Sequence, residues 1–179
     1  MSELHVRKLA ADFITPVRAY AVVYKELSHR SSFLFESVVP GERWGRYSIV
    51  GCLPEKEGAY VGDDPLGALG AEVAALPRAE TFIEALTQAR VGWLTYEIVS
   101  ALHGLEAWDE GHPYARVMQE PTILLFDNLE QTLTIAGKNA NVVKRCELEL
   151  RRAADLVPMP VPDRSAAPEH VDLSLDDAA

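Results

Sequence analysis

Glu36 and Ser37 end the apolar run Phe33-Leu-Phe-Glu-Ser37, and Arg46-Tyr-Ser48 opens into the next one, Tyr47-Ser-Ile-Val-Gly51. These residue types suit the recognition of a free amino acid. An ammonium group calls for a carboxylate, which Glu36 offers. A carboxylate calls for hydroxyls, backbone N–H groups or a guanidinium, which Ser37, Ser48 and Arg46 offer. Phe35, Val38, Trp44 and Tyr47 are suited to wall a slot for a flat side chain. The alternative is that Glu36 and Ser37 simply end a strand in water, and residue chemistry alone leaves both readings open. Neighbours on a regular strand point to opposite faces, so the two reach one ligand only through a bulge or a backbone contact.

Other chemistry finds no constellation. His103 and Glu106 are separated by Gly104, and Asp109-Glu-Gly-His112 reads as a solvated loop rather than a metal site. Cys52 and Cys146 are far apart, form no Cys-x-x-Cys pair and have no zinc-type spacing, so two reduced thiols are expected, at least one packed as a small apolar residue. Gly67 and Gly70 do not fit a phosphate-cradling loop, and no serine or cysteine sits in a nucleophile elbow. Neither catalytic residues nor metal ligands are expected.

The chain has 179 residues, 48% of them hydrophobic and 25% charged, as in a globular domain with one sizeable core. Its net charge of −10 argues against nucleic acid and anionic membrane as partners, and any anionic ligand would need a local basic pocket such as Arg43 and Arg46. No segment approaches the roughly 20 apolar residues that span a bilayer. Arg7, Lys8 and Asp12 interrupt any signal-like run, so a cytoplasmic protein is expected.

The elements that position these residues read as an α+β fold, mostly antiparallel sheets with packed helices. Strands are predicted over 18–25, with Tyr20, Val22 and Tyr24 on one face, and over 32–37, 47–51 and 59–61. Pro40-Gly-Glu42 reads as a turn. Asp64-Pro65 starts a helix whose stripe is Leu66, Leu69, Val73 and Leu76, closed by Pro77. A shorter helix follows over 80–88. A strand over 91–96 runs into a helical segment, 97–103, closed by Gly104. Residues 106–114 read as a loop. A hairpin is predicted from 122–126 and 132–135 around Asp127-Asn128. A helix over 141–157 turns Val142, Cys146, Leu150 and Ala153 or Ala154 inward. Residues 1–157 thus form the domain, and 158–179 read as an acidic, proline-containing linker or tail.

Three segments carry a resemblance. Thr15-Pro-Val17 with Ala19-Tyr20, then Phe-Leu-Phe-Glu-Ser, then Trp44-Gly-Arg-Tyr-Ser-Ile-Val-Gly51, is similar to the opening of anthranilate synthase component I, with its Thr-Pro-Val, Leu-Leu-Glu-Ser and Gly-Arg-Tyr-Ser motifs. Gly92-Trp-Leu-Thr-Tyr-Glu-Ile-Val99 resembles that family's Gly-Tyr-x-x-Tyr-Asp-x-Val-Arg, and Pro121-Thr-Ile-Leu-Leu-Phe-Asp-Asn128 its strand ending in Asp-Asn or Asp-His. The likeness runs over residues 13–157. It implies an amino-terminal effector-binding part in which Glu36, Ser37, Arg46, Tyr47 and Ser48 bind L-tryptophan, the end product that inhibits the enzyme. Conversion of chorismate to anthranilate, with Mg²⁺ and acid–base residues, would belong to a carboxy-terminal catalytic half. That half and a glutamine amidotransferase subunit are the implied partners, and this chain is not expected to be catalytic by itself. Two departures bear on docking: Glu97 and Ser100 replace the family's Asp and Arg, and His103-Gly-Leu-Glu-Ala-Trp108 lacks its Glu-x-Leu-Pro ending. Two other readings remain open: the equivalent part of para-aminobenzoate synthase component I, and a non-catalytic scaffold that only docks to a catalytic half.

Overall fold

A computed structural model describes residues 3–27, 31–38, 44–62, 64–105 and 113–154, apart from the side chains of Ser37, Val38, Trp44, Ala101 and Ala154. The predicted turn at 40–42, most of the loop at 106–114 and the tail at 158–179 lie outside the described residues. The architecture is α+β with two antiparallel sheets, as expected.

The larger sheet has the order β1-β8-β7-β3-β2, from β1 (His5–Ala10), β2 (Ser32–Val38), β3 (Trp44–Cys52), β7 (Thr122–Asp127) and β8 (Thr132–Gly137). The smaller has the order β4-β6-β5, from β4 (Lys56–Tyr60), β5 (Arg90–Leu94) and β6 (Ala115–Gln119). Among the described residues five α-helices accompany them: α1 (Pro16–Val22), α2 (Pro65–Ala74), α3 (Phe82–Thr87), α4 (Ile98–His103) and α5 (Ala140–Ala154).

One predicted strand is a helix. Residues 18–25 fall in α1 and in the π-helical turn Val23–Leu27 that continues it. The local cause is a cap: Thr15 Oγ1 accepts from the Arg18 N–H at 3.3 Å, and Pro16 takes the first helical position, where it sacrifices no hydrogen bond. The tertiary cause is burial. Ala19 and Val23, one helical turn apart, are completely buried against the large sheet, which outweighs the strand preference of the Tyr/Val run. Two strands escaped the sequence reading. β1 is mostly exposed with no alternation, and β6 follows directly on the expected loop.

Helix α5 starts one residue earlier than predicted, after Asn139, whose side chain accepts from the N–H groups of Asn141 and Val142. Val143 rather than Val142 leads its buried stripe, followed by Cys146, Leu150 and Ala153. This stripe, α1 and the π-helical turn cover one face of the large sheet, enclosing Val50, Cys52, Leu124, Phe126, Leu133 and Ile135. Each fully buried side chain of this size contributes about 1.5–3 kcal/mol through removal from water. Helix α3 packs on β7 and β8 of the opposite face.

Helix α2 is capped as predicted, Asp64 Oδ1 accepting from the Gly67 N–H at 2.8 Å. Its predicted stripe is only partly covered: Leu69 packs on Tyr60, Ala115 and Val117, while Val73 is 46% exposed. The β7–β8 turn runs through residue 131, and its left-handed residue is Gln131 (φ 51°) rather than Asp127 or Asn128.

Candidate functional site

The β2–β3 pairing sets the site. Phe33, Leu34, Phe35 and Glu36 oppose Gly51, Val50, Ile49 and Ser48 in turn. Glu36 and Ser48 are therefore direct cross-strand neighbours on one face, the face that Leu34, Val50 and Cys52 present to α1 and α5. Past Glu36 the register shifts, and the next pair is Val38 with Trp44. The irregularity falls at Ser37, where both strands leave the covered part of the sheet. A bulge is the device by which consecutive residues are turned toward one side. The Ser37 side chain itself lies outside the described residues.

Ser48 is buried, whereas Glu36 is exposed. Asn128 reaches across from the end of β7, its Nδ2 donating to the Gly45 carbonyl at 2.9 Å and to Ser48 Oγ at 3.4 Å. Its backbone N–H donates to the Arg46 carbonyl at 2.8 Å. Arg46 is bound to Asp127 by a forked contact, Nη2 and Nε donating to Oδ2 at 2.9 and 3.1 Å. Each partner shifts the other in the sense expected of a salt bridge: the hydrogen bond holds the Asp127 carboxyl below the usual carboxylate range and raises the Arg46 guanidinium further. Arg46 also lies over the Tyr47 ring, 5.0 Å from its centroid. A ligand carboxylate at Arg46 would thus share the guanidinium with Asp127. Tyr47 extends to the opposite face of β3, where its ring meets Phe82 at 5.4 Å.

Of the predicted residues, then, Glu36 and Ser48 are brought together, Arg46 flanks them through Asp127 and Asn128, and Tyr47 stands behind the strand. Asp127 and Asn128 were legible as the end of a strand, but nothing local to them signalled contacts with Arg46 and Ser48. Of the expected slot walls, Phe35 takes part in a different feature, a groove of about 700 Å³ on the other face of β2. Phe33 and Phe35, with ring centroids 4.7 Å apart, form one side; Ala59, Val91, Trp93 and Met118 of the small sheet form the other. Arg116 and Glu57 are its charged members, and Glu57 accepts a hydrogen bond from Ser31. Among the described residues no group of three or more His, Cys, Asp or Glu side chains is placed to hold a metal ion, and no helix is long and apolar enough to cross a membrane.

The fold and this arrangement define a class: an α+β domain with a carboxylate–hydroxyl pair at the polar end of a sheet and an aromatic groove behind it. The comparisons carry the relationship one step further. The chain is 30% identical over 156 residues to anthranilate synthase component 1 of Mycolicibacterium smegmatis, an alignment covering 76% of this chain and 29% of that protein. The chain therefore spans under a third of the length of this curated relative, and the likeness supports kinship with chorismate-using enzymes at that coarse level. No family model matches the chain.

Proposed function

We propose that this chain is the amino-terminal regulatory part of an anthranilate synthase component I and that it binds L-tryptophan as feedback effector. The cross-strand placement of Glu36 opposite Ser48, with a register shift at Ser37, carries the reading. Glu36 meets the ammonium group, while Ser37 and Ser48 offer hydroxyls to the carboxylate. Arg46, stacked on Tyr47, adds positive charge at the flank. The likeness to anthranilate synthase component 1 supports the reading. Chorismate chemistry and its Mg²⁺ belong to a catalytic portion that this domain meets as partner, with a glutamine amidotransferase subunit supplying nitrogen. The effector acts there by binding one arrangement of the two parts more tightly than the other, since only differential affinity moves such a balance.

Calorimetric titration of L-tryptophan into the protein together with its catalytic portion tests the proposal. A saturable signal is expected, weakened by about 1–3 kcal/mol in Glu36→Ala or Ser37→Ala, the scale of losing a charge-assisted bond. A flat titration with the complete protein removes the assignment.

A further inference from the structure

Among the described residues, the short chain passages between the two sheets lie along one row. β3 leaves the large sheet at Cys52, opposite Thr122, and β4 enters the small sheet at Lys56, opposite Gln119. The three residues 53–55 thus face only two, Glu120-Pro121, where β6 passes into β7. Helix α3, which packs on the large sheet, reaches β5 through Gln88-Ala89, and Arg90 at the start of β5 also pairs with Gln119. Lys56, Gln119 and Arg90 therefore mark a common edge by which the small sheet is attached. Among the described residues its far end, with Tyr60, Ala115 and Leu94, has no comparably short passage to the large sheet.

Both strands turn this corner through a left-handed residue followed by proline: Leu53-Pro54, φ 44°, and Glu120-Pro121, φ 54°. Neither residue is glycine, so its Cβ opposes that conformation, and the following proline favours extended backbone instead. Such strain persists only where the surroundings enforce it. Here the restraints can be named. The Glu55 N–H donates to the Glu120 carbonyl at 3.3 Å. Lys138, just past the end of β8 in the large sheet, binds Glu120 Oε1 at 2.6 Å. Leu53 packs against the large core.

We propose that the small sheet is a flap, hinged at Leu53 and Glu120 and latched by the Glu120–Lys138 ion pair, whose release widens the groove between the sheets. The groove lies inside the corner, with Phe33 and Phe35 of the large sheet on one wall and Ala59, Val91, Trp93 and Met118 of the flap on the other. When the two left-handed residues pass to extended backbone, the corner straightens and the flap's free end, which carries Trp93, moves away from Phe35. The Ser31–Glu57 hydrogen bond crosses the groove next to the hinge row, where the displacement is least. A few residues at the ends of elements thus absorb the change while both sheets stay intact. Phe35 stands two residues before Ser37, so the flap opens beside the site described above. The inference does not depend on the proposed function.

The test places spin labels on the full chain at Arg7→Cys in β1 and Ala71→Cys in α2, both exposed, and measures their separation; α2 rides on β4, and the buried Cys52 and Cys146 are shielded from the label. One main distance is expected for the otherwise unaltered chain. Glu120→Gln and Lys138→Gln each break the ion pair but keep the strained backbone. Each should raise the population of a longer distance roughly tenfold, the scale of one charge-assisted hydrogen bond at a partly exposed site. Raising the salt concentration on the unaltered pair should act in the same direction. Glu120→Gly also loses the ion pair but accepts the left-handed conformation freely, so it should hold the original distance. The proposal is overturned if both glutamine variants, folded by circular dichroism, keep the original distribution in low and high salt. It is overturned equally if Glu120→Gly lengthens the distance as far as Glu120→Gln, because backbone strain would then not drive the opening.

Discussion

Asp127 joins two tasks at one carboxylate. It accepts from Arg46 across the sheet, and Oδ1 also accepts from the backbone N–H groups of Leu129 and Glu130, at 3.1 Å each, which closes the start of the β7–β8 turn. Its pKa in the fold is lowered, first by the Arg46 bond. The folded state therefore prefers the ionised form more strongly than the unfolded chain does. The corresponding stability is fully present above the unfolded carboxylate range, near 4, and is lost as pH falls through the lower folded value. In Asp127→Asn that acid-dependent component should disappear. Urea midpoints measured from pH 6 downward should converge between wild type and variant, with wild type higher only at the upper end. Midpoints that keep a constant separation would show that the Arg46 pairing does not govern this limb. Nothing in the one-dimensional pattern paired Arg46 with Asp127: each alone reads as a surface charge.

At the scale of elements, the small sheet depends on close backbone approach. Gly92 in β5 sits opposite Val117 of β6, and a Cβ at Gly92 would lie 1.9 Å from the Arg116 carbonyl oxygen. That atom is backbone and cannot swing aside, so relief requires the two strands to part. Gly92→Ala should cost about 1–3 kcal/mol, the usual range for overpacking, and the loss should appear in chemical denaturation. A variant as stable as wild type would mean that the strands slip at no cost. Such a glycine is visible in a sequence but its reason is not, because Arg116 lies on another strand. Caps follow the opposite rule. Asp64-Pro65 acts on an N–H group three residues away, so the start of α2 follows from the sequence, whereas the Asn139 cap sets α5 one residue before the start that its apolar stripe predicts. Thr15-Pro16 carries the same signal, yet the run that follows it over 18–25 has the pattern of a strand. There the β-branched and aromatic run obscured the cap, and burial of Ala19 and Val23 settled the matter.

For the molecule as a whole, apolar surface is unevenly placed. From β5 through α4 and beyond, Trp93, Leu94, Tyr96, Val99, Leu102 and Leu105 are all exposed, Tyr96 at 85%. A run of this kind beside β5, an edge strand of its sheet among the described residues, favours association over solvation. Replacing Leu102 and Leu105 with glutamate should therefore reduce concentration-dependent scattering of the isolated chain while leaving its melting temperature within a few degrees. Scattering unchanged by the double substitution would place the sticky surface elsewhere. The departures from the family pattern at Glu97 and Ser100 fall in this same stretch.

By itself the sequence determined what short-range forces control: the Asp64-Pro65 start of α2, the β7–β8 hairpin, the α+β class, and the residue types able to meet a zwitterion. Those outcomes depend on atoms within a few positions of one another, so they survive without knowledge of the rest of the chain. Tertiary structure alone decided that Glu36 faces Ser48, that Tyr47 turns away to Phe82, that Arg46 is engaged by Asp127 and that Cys52 and Cys146 share one buried core. Each of these is set by strand register or by a helix laid across a sheet. Register moves every side chain to the other face when it slips by one residue, and only the packing of the whole core selects one register over its neighbours.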